Sequence, residues 1–264
     1  MEISEGLGEY SSMMANTDSN FVVLTTNRSG SEWVMSTLNN FQNVSGHGEL
    51  FLPRARILDN KWDADFAYTR FIETKFERFT VRPFSVFSYL KTLYSTPGKV
   101  GFKLMYKQLG LYPEILAYLI RYRIHIIHLV RQNHLDVMLS YAVKAKIGRA
   151  HLLVGQSAPA ELRVELDTRN LVRQFMWLQR QQNIARKLLI WCRLPHLEVA
   201  YEDLVRDQNY YFRLIGDFLS INSREQMPQS PLTKIRKGAH RDMISNYDQV
   251  KKVLANSKFA SLLE

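Results

Sequence analysis

The stretch "FVVLTTNRSGSEWVMSTL", residues 21–38, decides how the chain is read. Phe21 to Thr25 form an unbroken apolar or β-branched run, which suits a strand covered on both faces. A polar turn follows from Thr26 to Gly30, and apolar residues then recur at helical spacing. A strand that stops just before a helix leaves the first helical N–H groups without partners. With the positive end of the helix dipole, those donors make an anion site. Gly30 permits the sharp turn and a close backbone approach. Asn27, Ser29 and Ser31 belong to the same polar loop, and Arg28 offers a planar fork to a phosphate or sulfate. On these residues alone, a plain strand–turn–helix with a serine cap is the other reading. A nucleoside triphosphate loop would carry a lysine and a hydroxyl after its second glycine, and neither is present.

Working outward, three more apolar runs read as buried strands: "VGFKL" at 100–104, "IHIIHLV" at 124–130 and "LEVA" at 197–200. A short further strand is expected at 44–46. Helical patterns fall at 31–42, 111–122, 134–146 and 168–192, with others within 62–79, 84–94, 208–219 and 246–256. The alternation predicts an α/β fold: a three-layer sandwich with a central, mainly parallel sheet and a P-loop-like strand–loop–helix. Residues 148–164 and 222–238 carry Gly, Ser and Pro with weak periodicity and read as surface excursions. The polar first 20 residues read as a flexible leader, and residues 21–264 as a single domain.

Hydrophobic residues at 46% are ample for a large core, which excludes global disorder. One cysteine, Cys192 in "LLIWCRL", excludes an internal disulfide and a cysteine-rich zinc site, and its apolar neighbours read as packing. His125 and His128 lie on a strand without a Cys/Asp cluster, so no metal is expected. No run is long and apolar enough to cross a bilayer, and no charged-then-apolar secretory pattern opens the chain. A cytoplasmic location is the expectation. The surplus of 35 Lys and Arg over 25 Asp and Glu, net +10, suits a polyanionic partner. The basic residues are scattered rather than interleaved with aromatics, so nucleic acid is not expected.

Three further segments gather near the expected strand ends. "IHLVRQNHLDVMLSYA" puts Arg131 at a strand end and Ser140 on the following helix; "LEVAYEDLVRD" puts Tyr201 and a Glu-Asp pair past another strand. "IRKGAH" offers Arg236, Lys237 and Gly238. In open α/β sheets, ligands sit beyond the carboxyl ends of the strands, where these groups would meet.

In order and spacing, "TNRSGSEWV", "LVRQNHLDVMLS", "YEDLV", "RKG" and "ISNYDQVKKVL" resemble the marks of the sulfotransferases that use 3′-phosphoadenosine 5′-phosphosulfate (PAPS), over roughly residues 20 to 260. The resemblance implies PAPS as donor, with Arg28, Gly30, Ser31 and Glu32 around the phosphosulfate and Glu32 pointing outward. It implies Arg131, Ser140, Arg236, Lys237 and Gly238 on the 3′-phosphate. Trp33 would stack on adenine or else pack in the core, and Tyr201 would lie near adenine or serve packing. Two departures stand out. Arg28 replaces the lysine of the small-molecule branch, as in carbohydrate and bacterial branches, and Gln132-Asn133 replaces the usual acid-proline pair.

Sulfuryl transfer needs in-line geometry and charge stabilisation, and the acceptor hydroxyl needs a base. Glu49 in "NVSGHGELF" is the expected base, ahead of His47; otherwise His47 shapes the turn and Glu49 pairs with an arginine such as Arg54. Lys103 would steady the sulfate or acceptor, or else snorkel from a strand end. His134 and His240 flank the proposed 3′-phosphate segments. The acceptor, a small molecule or glycan, would meet residues 52–95 and 148–170. Rival expectations are a Mg-dependent nucleotide phosphotransferase and a non-catalytic polyanion binder.

Overall fold

The structure is a computed structural model that describes residues 20–52, 64–75, 81–148, 152–153, 162–221, 232–233 and 239–263. In chain order, the run before the loop is strand β1 (Phe21–Thr25), followed by helix α1 (Ser31–Leu38) and strand β2 (Val44–Glu49). Helices α2 (Tyr68–Lys75) and α3 (Phe84–Tyr94) lead to β3 (Lys99–Met105), α4 (Tyr106–Leu111) and α5 (Pro113–Arg121). Then come β4 (His125–Val130), α6 (His134–Ile147), β5 (Leu152–Leu153), α7 (Leu171–Trp191) and β6 (His196–Ala200). Helices α8 (Tyr201–Arg206) and α9 (Gln208–Phe218), strand β7 (Leu232–Thr233), α10 (His240–Met243) and α11 (Tyr247–Ala255) complete the set.

Five strands form one parallel sheet in the order β2-β3-β1-β4-β6. Successive side chains of β1 go to opposite faces, which is why the run had to be apolar throughout. Val22 and Leu24 join a core with Tyr89 and Leu90 of α3, Ile115 and Leu119 of α5, and Leu189 of α7. Phe21 and Val23 join the other core with Val34 and Leu38 of α1 and Phe212 and Ile215 of α9. A third cluster, built on α6, the start of α7 and α11, lies beside these two. Three layers result, as the alternation predicts.

Where the boundaries differ, local chemistry accounts for it. Helix α1 ends at Leu38 rather than 42 because the Asn39 side chain turns to the backbone of Gly46 on β2, donating to its carbonyl at 2.8 Å. The expected helix at 111–122 is α5, which starts at Pro113 because a proline cannot continue the preceding α4. Strand β2 runs through Glu49 instead of stopping at 46, with a bulge between His47 and Glu49. The excursion at 148–164 is not all surface: Leu162 and Val164 are buried, and Val164 bridges Ile244. Asn20, at the leader boundary, is buried and ties two strands: its side chain accepts from Val100 N at 2.9 Å and its carbonyl from His125 N at 3.1 Å. The rest of the leader lies outside the described residues. Cys192 packs half-buried against the first core.

Strands β4 and β6 are pinned by a polar chain. Both ring nitrogens of the fully buried His128 are taken, by the Tyr106 hydroxyl at 2.8 Å and by Glu198 at 3.0 Å. Arg186 of α7 forks onto the same carboxylate at 2.8 and 2.7 Å. The His128 bond, then Arg186, hold the Glu198 carboxyl down at about 2, against an ordinary 4.5. A depressed carboxyl contributes stability that is present above 4.5 and is lost as pH falls toward about 2. In urea titrations, Glu198→Gln should lower the midpoint most above pH 4.5, and the gap to the wild type should shrink as the pH is lowered further. A gap that does not change with pH would show that the carboxylate's charge contributes nothing.

Candidate active site

Strand order places β1 between β3 and β4, each reached from β1 in the opposite direction along the sheet. The crevice beyond such a reversal is where open α/β sheets take ligands, and the polar loop 26–30 leaves β1 there. Helix α1 starts from Gly30 with φ 88° and has no side-chain cap, so its first N–H groups face the loop rather than a serine. Arg28 is also left-handed, φ 66°, a conformation costly for a residue with a side chain and typical of functional loops. The buried Thr25 hydroxyl lies 2.6 Å from Ser29 Oγ and 2.6 Å from Leu129 O, which fastens the loop to β4.

Distant segments converge on this loop. Arg28 Nε donates to Ser140 Oγ of α6 at 2.9 Å, across 112 positions of sequence. Arg131, just past β4, donates to the Arg28 carbonyl at 3.0 Å and to Asp136 at 3.0 Å. Its guanidinium also lies 4.5 Å above the centre of the Tyr201 ring. Burial lowers the pKa of both arginines, and for Arg28 the nearby Arg131 charge lowers it further. Two cations therefore stand side by side, partly stripped of water. Arg131 Nε is buried without a hydrogen-bond partner among the described residues.

Supporting groups fix this arrangement. Gln182 of α7 donates to the Arg131 carbonyl at 3.0 Å. Glu202 of α8 accepts from the backbone N–H of Gln132 and Asn133 at 3.1 and 2.9 Å, and Asn133 caps α6 through Asp136 N. His240 sits 2.7 Å from the second oxygen of Asp136, while His134 is buried with its ring against Phe175 and Phe259, in the core rather than the cleft. Tyr201 is the floor of the loop: it is only 9% exposed, with Gly30 against its ring and Trp33 edge-on at 6.0 Å. Trp33 also meets Phe212 at 5.8 Å, so both aromatics serve packing.

The other edge of the cleft is built by β2 and β3. Glu49 pairs in register with Lys103 on the neighbouring strand. Gln108 of α4 reaches Glu49 at 3.4 Å and the Phe51 carbonyl at 3.3 Å, and its own oxygen accepts from Met105 N. His47 lies ring to ring with Phe66 at 4.4 Å. Glu32, expected to point outward, keeps its side chain 45% exposed and also forms an ion pair with Lys103, whose side chain is buried. That pair explains how an acid is tolerated in the first turn of α1, beside an anion loop. Tyr141, which no sequence pattern singles out, bonds Asn27 and feels the charges of Arg28 and Glu49, so it joins the two edges. Its only sequence signal is adjacency to Ser140; Gln108 has none.

Arg236, Lys237 and Gly238 lie outside the described residues, as does Arg54. Of the other site residues named from the sequence, Arg28 is joined to Ser140 and Arg131 by hydrogen bonds, Glu32 pairs with Lys103, and Glu49 lies in register with Lys103. Among the described residues, no group of three or more His, Cys, Asp or Glu stands close enough to hold a metal ion.

No known family model and no curated protein matches the chain. Among solved structures, a sulfotransferase from Alicyclobacillus acidocaldarius matches with TM-score 0.46 and 16% identity, covering 93% of this chain and 94% of that one. A sulfotransferase domain from the curacin biosynthetic pathway matches at 0.43 and 14%, covering 85% and 81%. A mouse sulfotransferase, SULT7A1, complexed with PAP matches at 0.37 and 12%, covering 96% and 92%. Scores and identities of this size leave the functional assignment to the chain's own residues.

At Gly30 a Cβ would fall 2.3 Å from Tyr201 Cδ2, in addition to the strain of a positive φ. Gly30→Ala should therefore destabilise the protein by about 1–3 kcal/mol. In a Tyr201→Ala background the same change should cost less, by roughly 0.5–2 kcal/mol of coupling. Urea midpoints of the four proteins in this cycle measure it; additive effects would mean that the ring does not constrain the loop.

Proposed function

We propose that the chain is a sulfotransferase that takes its sulfuryl group from PAPS and passes it to a hydroxyl of a carbohydrate, glycolipid or other natural product, in the cytoplasm. One observation carries this reading: Arg28 and Arg131 stand together, partly desolvated and mutually repelling, at an uncapped helix start. Such an arrangement is costly empty and favourable once an anion enters. An adenosine ligand with charged groups at both its 3′ and 5′ positions would supply that anion to both cations. In that ligand the donor supplies an activated sulfur, bonded to phosphate oxygen.

The chain's own residues would do the rest. The α1 N-terminus and Arg28 hold the 5′ end, and Arg131 with Ser140 holds the 3′-phosphate. Glu49 takes the proton of the acceptor hydroxyl as its oxygen bonds to sulfur, and the bond from sulfur to the phosphate oxygen breaks. Lys103 neutralises Glu32, so that this carboxylate does not repel the donor. The His47–Phe66 ring pair, on the strand that carries Glu49, offers an aromatic surface suited to the C–H face of a sugar ring. A magnesium-dependent phosphotransferase is disfavoured by Ser31 and Glu32, which follow Gly30 where such a site needs a lysine and then a hydroxyl.

Calorimetry should show adenosine 3′,5′-bisphosphate binding without magnesium and ATP–Mg binding far more weakly; the reverse order would overturn the reading. With labelled PAPS and pooled acceptors, Arg28→Ala should lose about 10²–10³-fold in transfer and also weaken bisphosphate binding. Glu49→Gln should lose about 10²–10⁴-fold while binding the bisphosphate normally, and full activity of that variant would remove it as the base. Lys103→Met should weaken bisphosphate binding, and Glu32→Gln should restore it in that background. Failure of the rescue would mean that Lys103 touches the ligand itself.

A further inference from the structure

Helix α7 has a second face that the cleft does not use. Trp177, Ile184 and Trp191 recur every seven residues, so they form one stripe along the helix. They are 57%, 55% and 82% exposed. Arg173, Arg180 and Lys187 recur at the same spacing beside them, all exposed. Over its 21 residues α7 carries no Asp or Glu. A cavity of about 410 Å³ opens beside the stripe, where Met176 and Ile184 meet Arg180, Lys187 and Lys258. An apolar line with a parallel cationic line, and an open hollow holding both characters, suits a partner that is apolar and anionic at the same depth.

We propose that the outer face of α7 docks onto an anionic lipid bilayer, with Trp177, Ile184 and Trp191 at the headgroup–acyl boundary. Arg173, Arg180 and Lys187 lie on lipid phosphates, and the hollow takes one headgroup. Aromatic side chains favour the membrane interface, and each surface cation adds attraction to an anionic leaflet. A second copy of the chain fits poorly, because it would bring another acid-free helix against these cations. A nucleic acid would satisfy the cations but leave the apolar stripe uncovered. The inference does not depend on the donor reading. The two surfaces share only α7, whose inner side holds Arg131 through Gln182.

The test is co-sedimentation of the full chain with vesicles of phosphatidylcholine alone or with about 30% phosphatidylserine, at about 0.1 M salt. Tryptophan emission is read in parallel. The protein should pellet with the anionic vesicles, shift its emission to the blue, and stay in solution with phosphatidylcholine alone. Trp177→Ala with Trp191→Ala should weaken binding about tenfold or more. Arg180→Gln with Lys187→Gln should weaken it about thirtyfold, from two lost surface cations. All four side chains are exposed, and a thermal melt checks each variant's fold. The proposal is overturned if the wild type stays in solution with anionic vesicles, or if both double variants bind as it does. Tighter retention on duplex DNA than on vesicles, or a dimer that the tryptophan substitutions dissolve, would equally overturn it.

Discussion

Arg131 spends one guanidinium on three parts of the molecule. It donates to the carbonyl of Arg28, it pairs with Asp136 in the first turn of α6, and it lies over the Tyr201 ring at the start of α8. Each partner sits in the loop or the helix that follows a different strand, β1, β4 or β6. Without this cation the β1 loop, α6 and α8 would share a neighbourhood without a common register. Its burial costs desolvation, and Tyr201 and Glu202 offset only part of that. A second arginine beside it raises the cost further. An arrangement of this kind persists because the surrounding sheet is rigid, with both faces of β1 in tightly buried clusters.

The same rigidity explains which sequence expectations hold. Strands β1, β3, β4 and β6 were legible because burial on both faces demands unbroken apolar runs, and runs this short, bounded by polar turns, suit few elements besides a central strand. Helices α3, α6, α7, α9 and α11 were legible from period and length. The end of α1 was not, because it depends on Asn39 finding Gly46, a contact to a strand not yet built in any local reading. Neither was α8, whose six residues are too few for a period.

The cleft was legible in part, and for a related reason. Arg28, Ser31, Arg131 and Ser140 belong to motifs whose order implies convergence, and the Arg28–Ser140 and Arg131–Arg28 bonds bring the two segments together. The Glu32–Lys103 pair is not legible, because Lys103 lies 71 positions away on another strand, invisible from the loop itself. The sequence leaves Tyr201 between two roles. Its ring proves to be the surface on which Gly30 rests, so its identity and the glycine's are one requirement. Tyr141 and Gln108 are not legible, since a tyrosine next to a serine and a glutamine on a short helix carry no periodic signal.

Glu202 has one more implication. By accepting from Gln132 N and Asn133 N, it consumes the peptide donors that follow β4. An anion arriving near Arg131 thus meets side chains, whereas one arriving near Gly30 meets fixed backbone. The first grip can swivel to follow its guest; the second has a preset shape. Discrimination between ligands of similar charge but different outline should accordingly reside at the glycine end, leaving the arginine end to set how strongly ionic strength is felt.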